Sequence, residues 1–339
     1  MIHIICNNAN SGKDGIGDYT YNVYKALCEK VTKDELVLHS GEYYRTGIFN
    51  QLTSMVMSNM IKKVTKEIRD GDFVILEYPV VECNILLLYY LKRMKTEIER
   101  KGGHLILSLH EYFRTNSFRR YIIRKIILLA DFIMVTDEKT KAWIINKYGK
   151  DVSIRTIPSN IYNEFVGPMD KDPDLYIFFG LISKNKALEE MLSAWIKFNV
   201  DNRKKLIILS SSPFENQYEV NNVCFYRNLG KDEICSLFRK ATFCILPIIP
   251  CVSINNTTYK TALCFDCIPI GVFDNSIDCL NGHIPLKGYL PDEIYEGLTK
   301  AGKLEEKDRK LYKNQLNKIP KQTPNITALQ YLSVINSLK

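Results

Sequence analysis

The chain has 339 residues, of which 46% are hydrophobic and 25% are charged, and its formal net charge is +8. This length predicts two domains, and the apolar content suffices for two cores. The sequence has no apolar run long enough to span a bilayer, and its first residues lack the layout of a signal peptide. The positive charge suits an anionic nucleotide, a phospholipid surface or nucleic acid. Nucleic acid is the weakest of these, because the sequence has no zinc-finger spacing, RNP-like strand or arginine-rich arm.

Strands and helices alternate in the first half of the sequence. The strand-like run 2–5 leads into the turn 11–18, which carries Gly15 and Gly17, and then into a helix over 19–30. Alternating βα units with short turns predict a parallel sheet with right-handed crossovers. The further elements predicted in this half are helices over 55–69 and 84–101 and strands over 73–79, 104–109, 130–136 and 154–157.

A break and a second glycine turn divide the sequence. Residues 165–173 combine glycine, prolines and charges, which predicts a linker. The turn 178–186 follows an apolar strand and restarts the alternation. Glycine in such turns lets the backbone approach a ligand, and the following helix N-terminus attracts anions. The elements predicted here are helices over 187–198, 232–240 and 257–265 and strands over 175–179, 205–210, 223–226, 243–246 and 268–272.

The predicted fold class is therefore α/β, with two Rossmann-like domains that face a central cleft and handle a phosphorylated ligand between them. The amphipathic segment 326–338 is expected to form a C-terminal helix that folds back on the N-terminal domain.

Cysteines and histidines give no sign of a metal site. The ten cysteines have no regular spacing, which predicts reduced thiols in a cytosol. The single CxxC, from Cys264 to Cys267, has no second pair, so buried packing is favoured there over a metal or redox role. The five histidines do not cluster either. We therefore expect neither a metal nor any other cofactor.

A series of short motifs runs in order from Gly15 to Gly271, and together they resemble a GT-B glycosyltransferase, similar to the retaining, family-4-like group. The resemblance implies a nucleoside diphosphate sugar as substrate, retention of anomeric configuration and no metal requirement. It also implies an acceptor-binding domain over 1–165, a nucleotide-sugar-binding domain over 166–320 and a crossing helix over 321–339. The motifs that carry it are 15–20, 76–79, 107–111, 157–161, 179–186, 246–247 and 262–271.

The chain departs from that family pattern at three positions. Leu181 stands where the pattern has an arginine, whereas Lys186 matches the lysine five residues after it. Ser253 and Thr261 stand where the pattern has two glutamates eight residues apart. Their absence removes the usual ribose contact and a usual partner for the sugar, so the resemblance does not identify the donor sugar.

The segment 253–260 is the candidate diphosphate site. It places small polar residues where a helix begins, and free N–H groups there, with the hydroxyls of Thr257 and Thr258, suit a diphosphate. The alternative is that these residues only cap the helix, for which Asn256 or Thr257 is a natural N-cap. Lys186 could neutralise the leaving diphosphate or be an ordinary solvated lysine. The predicted donor-binding residues are Gly15, Gly17, Gly180, Lys186, Asn256, Thr257 and Thr258.

The predicted catalytic residues are His110, Lys186 and Asp18. His110 lies at the carboxyl end of a predicted strand, where it could contact the sugar or the acceptor or serve as a structural histidine. Asp18 could accept a hydrogen bond from an acceptor hydroxyl, or only favour the dipole of its helix. Glu77, at another strand end, is a weaker candidate for the same region.

The segment 117–129 has a pattern typical of membrane-binding helices, since a basic and apolar helix face suits an anionic bilayer surface. Ordinary packing against a neighbouring element would produce the same pattern. Lys62, Lys63, Lys66 and Arg69 would add charge on the same domain, or form a solvated helix face. At helical spacing Phe118, Ile122, Ile126 and Leu129 form the face predicted to pack on the sheet, and Arg120, Ile123, Arg124 and Ile127 form the opposite face.

The leading hypothesis is a cytoplasmic glycosyltransferase that transfers a sugar from a nucleoside diphosphate to a glycan or lipid-linked saccharide in cell-surface polysaccharide synthesis. The basic helix would let it act at the inner face of the plasma membrane, and no nucleic acid is expected as partner. One alternative is a non-catalytic GT-B subunit that supports an active transferase, which the missing arginine and glutamates would fit. Another is a nucleotide-sugar isomerase of the same fold.

Overall fold

A computed structural model describes residues 1–11, 14–42, 52–113, 115–159, 161, 169–183, 185–212, 222–277, 282–319 and 321–339. The described chain forms two compact units, one of Met1–Pro158 with Thr323–Lys339 and one of Ser159–Gln322. The turn residues Gly12, Lys13 and Lys184, the linker residues 165–168 and the expected boundary between 165 and 166 lie outside the described residues.

The first unit contains a parallel sheet whose described strands follow the order β2-β1-β3-β4-β5-β6. Strands β1 and β3 are buried along their whole length, as expected where helices cover both faces of a parallel sheet. The strands are β1 Ile2–Asn7, β2 Leu36–Gly41, β3 Phe73–Tyr78, β4 His104–Leu109, β5 Phe132–Val135 and β6 Val152–Ile154, and the helices are α1 Gly15–Cys28, α2 Val56–Glu67, α3 Ile85–Arg100, α4 Ser117–Leu129, α5 Glu138–Tyr148 and the C-terminal α11 Pro324–Leu338.

Two hydrophobic cores lie on opposite faces of this sheet. Helices α2 to α5 bury their apolar stripes on one face. Helix α1 and the C-terminal α11 cover the other, where Tyr19 and Val23 pack with Tyr331 and Ile335. The prediction that the C-terminal helix folds back on the N-terminal domain is therefore confirmed.

The second unit repeats the arrangement, with described parallel strands in the order β12-β11-β10-β7-β8-β9. The fully buried Trp195 and Tyr176 lie in its core. The strands are β7 Asp172–Phe179, β8 Lys205–Ser210, β9 Val223–Arg227, β10 Ala241–Leu246, β11 Ile268–Gly271 and β12 Ile284–Pro285, and the helices are α6 Leu188–Phe198, α7 Lys231–Lys240, α8 Thr257–Cys264, α9 Pro291–Gly302 and α10 Glu306–Leu316.

Lys171 joins three elements of the second unit. Its Nζ donates to the carbonyls of Phe238 and Ala241 at 2.9 and 2.7 Å and to the carbonyl of Phe265. The same ammonium lies 3.4 Å from Sγ of Cys267, which is fully buried. Cys264 is buried as well, so the CxxC packs in the core, as the sequence predicted.

The faces predicted for α4 are partly wrong, although Ile122 and Ile126 are buried as expected. Ile123 and Ile127 are fully buried beside Ile122 and Ile126, whereas Phe118 is 45% exposed. The helix packs on the sheet and also against its neighbour α3, so its buried stripe spans adjacent helix rows rather than one. In the described chain, no helix combines the length and the apolar character needed to cross a membrane.

Candidate functional site

Strand order directs attention to one edge of the second sheet. Strand β7 lies between β8 and β10, so the chain order reverses at the β7–β10 pair. Parallel α/β sheets bind ligands beyond the carboxyl ends of their strands at such a reversal. The residues of this unit predicted to bind the donor all follow β7 or β10, and they are Gly180, Lys186, Asn256, Thr257 and Thr258.

The start of α8 lies directly against the end of β7. Thr258 Oγ1 donates a hydrogen bond to the carbonyl of Phe179 at 3.1 Å. Gly180 follows with a φ of +143°, a backbone angle that only glycine adopts easily. A Cβ at Gly180 would lie 3.7 Å from Thr258 Oγ1, which is ordinary contact. The backbone angle, rather than lack of space, therefore requires glycine at this position.

The first N–H groups of α8 are available to an anion. Asn256 caps the helix, and its Oδ1 accepts from the N–H of Tyr259 at 2.9 Å. Within the described residues, the N–H groups of Thr257 and Thr258 donate no hydrogen bond. The Thr258 hydroxyl is buried and its proton is used by Phe179, whereas Thr257 is exposed. Thr257 and the two free N–H groups can therefore donate to a ligand, and the Thr258 hydroxyl cannot.

Lys186 is held where the ends of β7 and β10 meet. Its backbone forms an isolated bridge with Ile248, and its N–H donates to the carbonyl of Ser183 at 2.9 Å. The half-buried ammonium has no carboxylate partner among the described residues. Burial lowers the pKa of Lys186 below its ordinary value, while the Cys244 thiol acts in the opposite direction. An anion at this position would remove that penalty.

The three positions that depart from the family pattern carry no charge here. Leu181 is 61% exposed beside Gly180. Thr261 is buried, and its hydroxyl lies 2.7 Å from that of Ser159 and donates to the carbonyl of Thr257 at 3.0 Å. The hydrogen bonds of Thr261 are therefore used inside the second unit.

Gly17 and Gly15 have different surroundings at the start of α1. A Cβ at Gly17 would lie 2.3 Å from the carbonyl oxygen of Asn7 and 2.5 Å from that of Asn8, so glycine is needed there for packing. A Cβ at Gly15 would meet no atom of the described residues within 4 Å. Asp14 caps this helix, and its carboxylate accepts from the N–H of Gly17 at 3.3 Å. Of the two glycines, only Gly15 leaves open space for a ligand.

Asp18 lies in the first turn of α1 and is half-buried. Its N–H donates to the carbonyl of Asp14 at 2.9 Å. An acid in this position is favoured by the helix dipole whatever else it contacts.

His110 belongs to a buried polar cluster at the carboxyl ends of β3 and β4. Its Nε2 lies 2.7 Å from Oε2 of Glu77, the residue that the sequence marked as the weaker candidate. Ser108 donates to the same carboxylate oxygen at 2.6 Å, and Tyr331 of α11 donates to Oε1 at 2.6 Å. The rings of Tyr19 and His110 are perpendicular to one another, with centroids 4.9 Å apart.

Arg155 supplies the positive charge of this cluster. It is fully buried directly after β6, with Nη2 3.9 Å from Oε2 of Glu77 and the guanidinium 4.9 Å from the centre of the Tyr19 ring. None of its three guanidinium nitrogens makes a hydrogen bond within the described chain. Burial opposes ionisation of Glu77, but the hydrogen bond from His110 and the charge of Arg155 outweigh it and lower the Glu77 pKa.

Sequence reasoning missed Arg155, Tyr331, Ser108 and Tyr19 as members of this cluster. Arg155 follows a strand of three residues, and Tyr331 lies in a helix 254 positions after Glu77, so no local spacing connects them. The alternation of strands indicated Glu77 and His110, because both end parallel strands that turn out to be neighbours. Among the described residues, no group of three or more His, Cys, Asp or Glu side chains could hold a metal ion.

Comparison with known proteins identifies the fold. Neither the models of known protein families nor the curated protein sequences include a match to this chain. Solved structures do match this chain, and three of them cover 99% of its length. The catalytic domain of starch synthase IV from Arabidopsis thaliana, bound to ADP and acarbose, is 11% identical, with 98% of its own chain covered and a TM-score of 0.66.

Two further matches cover 99% of their own chains. An alpha-glucosyltransferase in complex with UDP-glucose and DNA is 12% identical with a TM-score of 0.64. WaaG, a glycosyltransferase involved in lipopolysaccharide biosynthesis, is 10% identical with a TM-score of 0.63. At these identities the likeness establishes the fold, and the chain therefore has the two-domain α/β GT-B fold of these glycosyltransferases.

Proposed function

We propose that this protein is a glycosyltransferase that takes a sugar from a nucleoside diphosphate. The observation that carries the proposal is the edge formed by β7 and β10. There the ammonium of Lys186 and two N–H groups of α8, none of them paired within the described residues, follow neighbouring strands. A diphosphate needs both a cation and oriented donors. The fold is that of enzymes solved with UDP, ADP or UDP-glucose, which agrees with such a donor.

Lys186 and α8 would act mainly on the leaving group. When the bond between the anomeric carbon and the diphosphate oxygen breaks, negative charge accumulates on that oxygen. Lys186 would neutralise this charge, and the N–H groups of Thr257 and Thr258 would hold the phosphate oxygens in place. These groups are positioned before the reaction, so little reorganisation is needed during it.

His110 would contact the sugar or the acceptor. Its ring is 6% exposed and anchored through Nε2, so any ligand must approach the free Nδ1. Gly15 and Asp18 are the other residues of the first unit that we propose for the reaction, Gly15 near the phosphates and Asp18 near the acceptor hydroxyl. Gly17, although predicted for the donor, is explained by packing alone.

We further propose that the acceptor is a lipid-linked saccharide at an anionic membrane surface, in cell-surface polysaccharide synthesis. Residues 112–150 contain nine Lys and Arg against three Asp and Glu. Phe118, Tyr121 and Leu128 are about half exposed on α4, and Lys125 is exposed beside them. A surface with both cations and exposed apolar side chains binds anionic bilayers. The inner face of the plasma membrane, reached from the cytoplasm, would supply both the anionic surface and the lipid-linked saccharide.

Product analysis with purified protein tests the reaction. A panel of nucleotide sugars is incubated with and without lipid extract, for the wild type, Lys186→Ala and a matched control, Lys205→Ala. Lys205 is exposed and begins β8, at the opposite edge of the same sheet. We expect donor consumption by the wild type and the control, with a loss of roughly 100-fold for Lys186→Ala.

Other results would identify the alternatives. A rearranged nucleotide sugar formed without any acceptor would indicate an isomerase. No turnover of any donor, together with a transferase that co-purifies, would indicate a non-catalytic subunit. For the membrane proposal, the double variant Phe118→Ser, Lys125→Glu should bind anionic vesicles more weakly than the wild type. Wild-type protein that binds neutral vesicles as tightly as anionic ones would contradict the proposal.

A further inference from the structure

We propose that Glu77 is a positioning residue that fixes His110 as a neutral imidazole with its proton on Nε2, leaving Nδ1 to accept a hydrogen bond from a ligand hydroxyl. That the ligand is the sugar or its acceptor rests on the proposed function. His110 thereby acts as a hydrogen-bond acceptor rather than as an acid.

The hydrogen bonds of Glu77 leave little freedom in the cluster. Oε2 accepts from His110 and from Ser108, and Oε1 accepts from Tyr331, all within 2.7 Å. The carboxylate is fully buried, so these donors replace the water that an exposed carboxylate would have. Since an ionised carboxylate only accepts, the ring nitrogen that faces it must carry the proton.

The remaining surroundings disfavour a second proton on His110. Within the described residues, the hydrogen bonds of the His110 ring involve Nε2 only, so no protein group accepts from a proton on Nδ1. Arg155, which directly follows β6, adds positive charge to the same cluster. Burial and the charge of Arg155 lower the His110 pKa to about 4, although Glu77 acts in the opposite direction. The ring is therefore neutral at physiological pH.

The C-terminal helix contributes to this state through Tyr331. Its hydroxyl lies 2.6 Å from Oε1 of Glu77 and 2.7 Å from the hydroxyl of Ser108, which lies 2.6 Å from Oε2. The protons of these two hydroxyls are shared with the carboxylate and so reduce the charge that His110 meets. Removal of one of them leaves the carboxylate a stronger acceptor, and a stronger acceptor favours protonation of its partner. The pKa of His110 should accordingly rise in Tyr331→Phe, a change that keeps the ring and removes only the hydroxyl.

Nitrogen-15 NMR of the imidazole rings tests the proposal on the full chain. Five histidines are present, and loss of one signal set in His110→Gln assigns the ring of interest. We expect the pattern of a neutral ring protonated at Nε2 from about pH 5.5 to pH 8, across the ordinary histidine range. A doubly protonated ring near neutral pH, or a proton on Nδ1, would overturn the inference.

Two variants extend the test. Tyr331→Phe should raise the His110 pKa by an amount on the order of 1, while Tyr312→Phe in the second unit should leave it unchanged. An unchanged His110 titration in Tyr331→Phe would contradict the proposed chain of contacts. Glu77→Gln offers an amide in place of the carboxylate and should yield a mixture of tautomers. Because it also leaves Arg155 without its counter-charge and can fail to fold, Tyr331→Phe is the deciding variant.

The NMR test of His110 and the test of glycosyl transfer can fail independently of each other. The NMR pattern requires no donor, so failure to find a turned-over nucleotide sugar leaves it standing. If transfer is found, the dependence of kcat/KM on pH should show no titration near about 6.5, the ordinary pKa of histidine. A transferase whose activity falls as such a group titrates, and whose titration is lost in His110→Gln, would refute this inference alone.

Discussion

Gly17→Ala is expected to destabilise the first unit severely, while Gly15→Ala, two positions earlier, should not. The Cβ added at Gly17 would lie 2.3 Å from the carbonyl oxygen of Asn7, 2.5 Å from that of Asn8 and 2.7 Å from the carbonyl carbon of Asn8. All three contacts are with backbone at or just after the end of β1, which cannot turn away as a side chain can. Relief of the contact at Asn7 requires α1 to withdraw by about 1 Å from that strand end.

The expected magnitude follows from this geometry. Overpacking typically costs about 1–3 kcal/mol when side chains can adjust, so a clash with backbone should cost about 3 kcal/mol or more. The better helix propensity of alanine offsets at most about 1 kcal/mol of that. At Gly15 a Cβ meets no atom of the described part of the chain within 4 Å, so Gly15→Ala should change the free energy of unfolding by less than about 1 kcal/mol.

Urea denaturation measures the difference. The chain has two tryptophans, Trp143 in the first unit and Trp195 in the second. Trp143 fluorescence in a Trp195→Phe background therefore reports the first unit. Equal midpoints for Gly17→Ala and Gly15→Ala would refute the packing explanation. Donor affinities of the wild type and Gly15→Ala give a second test. If a donor phosphate approaches the backbone at Gly15, Gly15→Ala should bind the donor more weakly without loss of stability.

Three further predictions concern stability and pH. Thr257→Val should weaken donor binding with little effect on stability, while Thr258→Val should lower stability by about 1 kcal/mol through loss of its bond to Phe179, as calorimetry and thermal unfolding would show. His110 is held neutral with a pKa of about 4, so the unfolded state binds the extra proton, and stability should fall as pH drops from about 6.5 towards 4. His110 contributes about 3 kcal/mol of this loss, and the rest, including that from His39, remains in His110→Gln. Equal acid losses in the wild type and in His110→Gln would contradict the prediction. Lys171→Met should cost the second unit about 3 kcal/mol by leaving buried carbonyls unpaired, whereas Lys205→Met should be neutral in the same urea titration.

The fold could be predicted from the sequence where hydrophobic patterns were strong. The runs 73–79 and 104–109 are continuous and apolar, and both are buried strands of the first sheet. Strand β2 and helix α5 were missed, since β2 carries His and Ser on a partly exposed edge and α5 buries only two side chains. Strand β12 and helices α9 and α10 were missed as well; β12 has two residues, and α10 buries only Leu316.

The candidate site was only partly predictable, for physical reasons. Glycine turns and strand ends indicate where backbone can meet a ligand, and this reasoning predicted Gly180, Lys186 and the start of α8, which follow the neighbouring strands β7 and β10. It could not separate a glycine needed for packing, Gly17, from one beside open space, Gly15, because both follow the same strand. Arg155 could not be found at all, since its role depends on strands brought together only by the sheet.

The central claim is that Lys186 and the start of α8 hold a diphosphate, and calorimetry of ADP and UDP binding tests it most directly. Hydrogen bonds to charged groups contribute about 1.5–3 kcal/mol, so Lys186→Ala should weaken binding by roughly 10- to 150-fold, with Lys205→Ala unchanged. Burial lowers the Lys186 pKa, so wild-type affinity should decline as pH rises towards the ordinary lysine range, and Lys186→Arg should remove that decline because arginine stays charged. Equal affinities for wild type and Lys186→Ala, or no binding of either nucleotide, would contradict the claim.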